Sequence, residues 1–316
     1  MVATLRLLCL SLLLLMLPFA ARSQQSADRD FNTKVAKPAF TARHPILMFD
    51  LGHHNTHTTR QRYDALAMMA KNDGFNVIQD VGVFTPADLK DVSILLIANP
   101  LGTDDMKSPS VVNSAFTNEE CDAVYNFVAA GGSLLFICEH APMSLAGRAM
   151  AGRFGIKFGN GYLIDPAIAD TSYGASTLVF SRESGTLGDH VTLRGRGPAE
   201  VINRIRTYTG QSLAGPAGSV PLLKVTDRAE DIVLGREGIK GAVPENMKQS
   251  AAGRSQGLAF TVGKGRVVVL GETSMFSAQL MAGAGGATRK VGMNAPGVQN
   301  RQFALNILHW LAKGLN

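Results

Sequence analysis

The sequence predicts an α/β domain built on a mainly parallel sheet, flanked by helices and closed by a C-terminal β-hairpin and helix. Three observations carry this. Short, wholly apolar runs have the length of strands, and amphipathic helical segments alternate with them. The chain of 316 residues is 46% apolar and only 18% charged, enough to bury the core such an alternation needs. The same totals exclude a disordered chain, and three cysteines cannot staple one this long.

Taken in order, Ile46-Leu47-Met48-Phe49 is an apolar run ending at Asp50, which suits a buried strand. A polar loop from Leu51 to Thr58 precedes a helix predicted over Arg60 to Asn72. Thr58 and Gln61 have capping-box spacing there, and Tyr63, Leu66, Ala67 and Ala70 form the apolar stripe. Asp73-Gly74 stops the helix, and Phe75 to Ile78 reads as the second strand. Ser93 to Ala98 is the third, ending at Asn99-Pro100. Thr117 and Glu120 form another capping box, opening a helix whose face carries Cys121, Val124 and Val128. Gly131-Gly132 ends it, and Ser133 to Cys138 is the fourth strand.

A helix over Met143 to Phe154 and a strand near Ile156 to Leu163 follow. Thr177 to Phe180, Val201 to Tyr208 and Val220 to Val225 read as strands among Gly- and Pro-rich links. Leu258 to Val262 and Arg266 to Leu270 flank Gly263-Lys264-Gly265, a hairpin turn signal. Gly283 to Gly297 is glycine-rich and reads as a mobile cover or a plain surface loop. Asn300 is the expected cap of a last helix whose Phe303, Ile307, Leu308 and Leu311 face the core.

Residues 1–23 read as a secretory signal peptide. Arg6 gives the basic start, Leu7 to Ala20 the apolar stretch, and Ala21-Arg22-Ser23 places small residues where a signal peptidase reads. The apolar run of 14 residues is short of the ~20 that a spanning helix needs, so no transmembrane helix is expected in the mature chain. The expected location is periplasmic or extracellular. Residues 24–43 read as a flexible lead-in and 44–316 as one domain. Removing 1–23 takes away Arg6 and Arg22 and no acid, so the net charge falls from +6 to +4. With the remaining cations scattered, nucleic acid is excluded as a partner. Cys121 and Cys138 remain, one at a helix start and one at a strand end. A disulfide and two free thiols both stay open.

In open parallel sheets, ligands bind beyond the carboxyl ends of the strands. The residue types gathered there are therefore the candidates. Asp50, His53, His54, Asn55 and His57 follow the first strand, Asn99 the third, Glu139 and His140 the fourth. Glu272, Thr273 and Ser274 follow the hairpin, and Asn300 starts the last helix. His53, His57, Glu139 and Glu272 are the candidate catalytic groups, imidazoles and carboxylates being the usual general acids and bases. Asp50, His54, Asn55, Asn99, His140 and Asn300 are candidate ligand-binding groups. No cofactor is required by the sequence. A divalent metal on the histidine loop would need further ligands from Glu139, His140 or Glu272, and stays open. Cys138 lacks the small neighbours that a nucleophile elbow requires.

The order ILMFD, SILLIANP, AFTNEE leading into GGSLLFICEHAP, then GKGRVVVLGETSMFS and NRQFALNILHWL resembles the class I glutamine amidotransferase-like superfamily. Within it, the chain is similar to an uncharacterised exported bacterial family, distantly like trehalose-utilisation-type proteins. Asp189-His190-Val191-Thr192-Leu193-Arg194-Gly195 resembles an Asp-His-Pro-Ile-Thr-x-Gly element of such proteins, with Val191 in place of proline. The likeness spans about residues 44–313 and implies a flavodoxin-like sheet. It does not carry over glutaminase chemistry, because the elbow glycines around Cys138 are missing and no His-x-Glu pair follows Gly271.

The expected function is a hydrolase-like polar pocket acting on a carbohydrate or similar polar small molecule. In it His57 or His53 handles water, Glu139 or Glu272 is the base, and Asn55 and Asn300 hold substrate. The alternative is a non-catalytic ligand- or partner-binding module of the cell envelope.

Overall fold

The computed structural model describes residues 25–233, 243–282 and 287–315. The segment read as a signal peptide lies outside the described residues, as do residues 283–286 of the glycine-rich stretch.

Among the described residues the largest sheet has nine strands: β1 (Ile46–Asp50), β2 (Asn76–Asp80), β3 (Ile94–Ala98), β4 (Ser133–Ile137), β5 (Lys157–Phe158), β6 (Leu213–Ala214), β7 (Val220–Lys224), β8 (Ser255–Val262) and β9 (Gly265–Leu270). Their order is β2-β1-β3-β4-β9-β8-β6-β5, with β7 also paired to β8. The first five are parallel. That is the flavodoxin-like order, extended by antiparallel strands beyond the β8–β9 hairpin.

Both faces of the inner parallel strands β1, β3 and β4 are covered, which is why they are near-continuous apolar runs rather than alternating ones, whereas the edge strand β2 is partly exposed. Leu47, Phe49, Leu96, Leu135 and Val268 pack with helices α1 (Asp64–Asn72) and α3 (Asn300–Leu311). Met48, Leu95, Leu134, Phe136 and Val267 face the other way, onto α2 (Asn118–Ala130). Inside the protein, His309 of α3 is hydrogen-bonded through Nε2 to Asp73 Oδ2 at 2.6 Å, fastening α3 to the end of α1.

Helix α2 forms as the sequence predicts. Thr117 accepts from the Glu120 N–H while the Glu120 carboxylate accepts from the Thr117 N–H, and Gly131 ends the helix at φ +126°. Other boundaries differ, each for a local reason. The Thr58 carbonyl accepts the N–H groups of Gln61 and Tyr63, so residues 59–63 make a turn and α1 starts only at Asp64. Asn300 is the first residue of α3 rather than its cap, because its carboxamide is bonded to the Arg206 backbone. The helix expected over 143–154 breaks at Gly147 into Met143–Ala146 and Arg148–Arg153.

The strand expected over 156–163 splits between two sheets. The chain turns at Asn160 (φ +62°), and a Cβ on Gly159 would collide with the Asp231 carboxylate. The lead-in, expected to be loose, is docked. Gln25–Ala27 pairs with Ala278–Ala282, and Phe40 is buried in the core. Within the glycine-rich stretch, Thr288–Gly292 completes that small sheet. No helix among the described residues is long and apolar enough to cross a membrane.

Because β1 lies between β2 and β3, the chain leaves β1 to one side and returns on the other. The crevice at the carboxyl ends of β1 and β3 is the topological switch point, where this architecture binds ligands.

Candidate functional site

The β1 loop is organised by one carboxylate. Asp50 Oδ1 accepts the Gly52 N–H (2.9 Å) and His53 Nδ1–H (2.9 Å), and Oδ2 accepts Asn55 Nδ2 (2.8 Å). Asn55 Oδ1 in turn accepts the Ala98 N–H at 3.0 Å, and the Thr56 N–H donates to the Asn99 carbonyl at 3.1 Å. The loop is thereby clipped across the switch point to the end of β3. Gly52 is needed because a Cβ there would run into the Gly82 carbonyl.

His53 is held on both nitrogens. Its Nε2–H donates to Glu120 Oε1 at 2.8 Å, and its ring lies between Phe84 and Phe116, with centroids 4.6 and 4.5 Å away. Burial alone pushes an imidazole toward neutrality. Here the bonds and charges of Asp50 and then Glu120 outweigh it, and the pKa is raised. The Glu120 carboxyl is lowered: burial opposes this, but the Thr117 and Phe84 N–H groups and His53 prevail. An imidazolium locked between two carboxylates has no ring nitrogen left for substrate or water. His53 therefore positions the loop.

The second group joins β3, β4 and β9. Glu139 Oε1 accepts the Thr273 hydroxyl (2.5 Å) and N–H (3.2 Å), and Oε2 accepts Asn99 Nδ2 (3.1 Å). Asn99 stands at φ +56° and returns a bond by accepting the Glu139 N–H at 2.8 Å. Gln211 Nε2 donates to the carbonyls of Cys138 and Glu139, at 2.8 and 2.9 Å. Glu272 is wholly buried, its two oxygens accepting the N–H groups of Ser274 and Met275 at 2.8 Å each. Burial, then the neighbouring Glu139 charge, push its pKa well up despite those bonds.

His57 completes this group. Its ring packs edge-on against Tyr63 at 5.1 Å, and the Tyr63 hydroxyl donates to the Thr273 carbonyl at 2.8 Å. His57 Nδ1 lies 3.1 Å from the Thr56 hydroxyl, whereas Nε2 is buried with no hydrogen-bond partner among the described residues. Burial lowers its pKa to about 4, against the pull of Glu139 and with help from Arg62. At neutral pH this imidazole carries no charge.

The remaining candidates are placed apart or committed elsewhere. His54 is exposed, at φ +49°. His140 stacks on Tyr162 at 3.8 Å, with Nδ1 2.8 Å from the Ala141 carbonyl. Asn300 is buried and bonded to the backbone of Arg206 and Met275. Among the described residues no three His, Cys, Asp or Glu side chains are grouped so as to hold a metal ion. Cys121 and Cys138 are free and buried. Burial raises Cys121 to about 11, and Cys138 well above its usual value.

Sequence reasoning missed three participants. Tyr63 read as part of a helix stripe, and Glu120 only as the partner in a capping box. Gln211, in a glycine-rich link, carried no signal at all.

No protein-family model matches the sequence, and no curated protein matches it. Solved structures are similar in shape. The mmIFT52 N-terminal domain is 14% identical over 84% of this chain and 97% of that one, with a TM-score of 0.57. A putative ThuA-like protein from Parabacteroides merdae is 13% identical over 86% and 91%, with a TM-score of 0.42. Another from Bacteroides uniformis is 12% identical over 89% and 94%, with a TM-score of 0.39. At these identities the likeness is one of fold, and the first supports the α/β assignment. Fold alone does not specify function.

Proposed function

We propose that this is an exported α/β domain that binds a polar small molecule of the carbohydrate class at the carboxyl ends of β1, β3 and β4, and that its task is binding rather than turnover. The observation that carries this reading is the orphaned His57 Nε2, buried beside the Glu139 charge. An unsatisfied buried polar atom costs about 1–3 kcal/mol. A sugar hydroxyl, which donates and accepts at once, supplies the missing partner. The resemblance to trehalose-utilisation-type proteins supports the carbohydrate class. Against catalysis, His53 has both nitrogens occupied and Glu272 has both oxygens on backbone N–H groups.

Hydrolysis is the second reading, and one observation favours it. Glu139 and Glu272 are neighbouring carboxyls, with Glu272 pushed toward its neutral form, the pattern that separates an acid from a base. The deciding experiment measures thermal stabilisation and product release across a panel of mono- and disaccharides. Wild type, His57→Ala and Glu139→Gln are compared, with folding checked by circular dichroism. Binding predicts stabilisation of the wild type by a sugar, lost in His57→Ala, with no product. Turnover abolished in Glu139→Gln would replace this reading by hydrolysis, and no stabilisation by any sugar would refute it.

A further inference from the structure

A second cleft, of about 570 Å³, opens near the amino ends of β3 and β4, at the opposite end of these strands from the His57 group. Leu89, Val92 and Phe127 give it an apolar lining. Its charged lining residues are Arg43, Lys90 and Lys313, with no carboxylate among them. The Phe127 ring lies directly against Gly132, where a Cβ would collide with it, so this apolar wall depends on a glycine.

The three cations are not equally committed. Arg43 donates to the Ala312 carbonyl at 2.5 Å, and Lys313 to the Gly131 carbonyl at 2.8 Å. Those carbonyls lie at the C-terminal ends of α3 and α2, where helices carry about half a negative charge each. Two cations are thus partly offset by partial charges. The Lys90 ammonium makes no hydrogen bond or ion pair among the described residues. The cleft therefore has an apolar body, a net positive lining and one uncommitted ammonium. A cleft lined by one sign of charge concentrates the opposite one, and its size is that of a small-molecule site.

We infer that this cleft binds a small amphipathic carboxylate, its hydrocarbon body against Phe127 and Val92 and its carboxylate on Lys90. A plain anion would leave the apolar wall unused, and a neutral alcohol would leave the cations unmatched. The site is independent of the strand-end cluster.

Calorimetric titration of the mature protein with octanoate, octanol and acetate tests the assignment. Octanoate should bind more tightly than acetate, which lacks the hydrocarbon body, and about tenfold tighter than octanol, the gain of one charge-assisted contact. Lys90→Glu, a change at an exposed position, should remove that advantage, and Lys90→Arg should retain it. Ala130→Phe, on the exposed rim, should block octanoate without altering any response to sugars. Octanol binding as tightly as octanoate, indifference to Lys90→Glu, or no octanoate binding would each overturn the proposal.

Discussion

Replacing His53 by phenylalanine keeps the ring between Phe84 and Phe116 but removes both N–H donors from two buried carboxylates. The side chains are 5% exposed for His53, 0% for Asp50 and 6% for Glu120. Removing one partner of a buried ion pair costs about 3–5 kcal/mol. Asp50 keeps the donors of Gly52 and Asn55, and Glu120 keeps those of Phe84 and Thr117. We therefore expect the low end, about 3 kcal/mol at pH 6.

The pH dependence has a definite sign. The folded pKa of His53 is raised, so its contribution is fully present below the unfolded value of about 6.5. It fades as pH climbs through the folded pKa. Urea denaturation of wild type and His53→Phe at pH 6, 7.5 and 9 should give a difference that is largest at pH 6 and shrinks with alkalinity. A loss under about 1 kcal/mol at pH 6 would show that the pair is not held as a buried ion pair. A difference that stays flat or grows with pH would refute the imidazolium assignment.

His57 should behave in the opposite sense. With a folded pKa of about 4, it stays neutral while the unfolded chain gains a proton, so its contribution is lost as pH falls from about 6.5 toward 4. The loss should reach about 3 kcal/mol. Histidine NMR should show no His57 titration between pH 5 and 8, and a midpoint near 6.5 would contradict its burial as a neutral ring. Ellman's reagent should find no reactive thiol in the native mature protein and two after reduction-free denaturation. A fast-reacting native thiol, or two missing thiols, would refute free, buried Cys121 and Cys138. Expressed with residues 1–23 in an exporting host, the protein should be recovered outside the cytoplasm with Gln24 at its N-terminus. Retention of Met1 or of the apolar run would sink the export reading.

Much of the architecture was legible in the sequence because it rests on local rules. Ile94 to Ala98 and Leu134 to Ile137 are apolar without alternation, which only a strand covered on both faces tolerates. Thr117 and Glu120 mark a helix start within one turn, and Gly263-Lys264 turns β8 into β9. Where a partner far along the chain competes for the same atoms, the local reading failed. Asn300 has the chemistry of a cap, yet its carboxamide is taken by Arg206, a residue 94 positions away. The lead-in has no periodic pattern, yet pairing with Ala278–Ala282 gives Gln25–Ala27 a place in a sheet.

For the candidate site, the sequence by itself determined which residue types stand at the strand ends: Asp50, His53, His57, Asn99, Glu139 and Glu272. That follows from the period and length of the strands, which place the loop residues without any tertiary contact. Only the tertiary structure decided what each is able to do. His53 and His57 are four residues apart on one loop. One is held charged by two carboxylates, of which Glu120 is 67 positions distant; the other is neutral and half-partnered. The protonation and free valence of a buried side chain depend on its desolvation and on charges brought to it by other elements, and no local spacing records either.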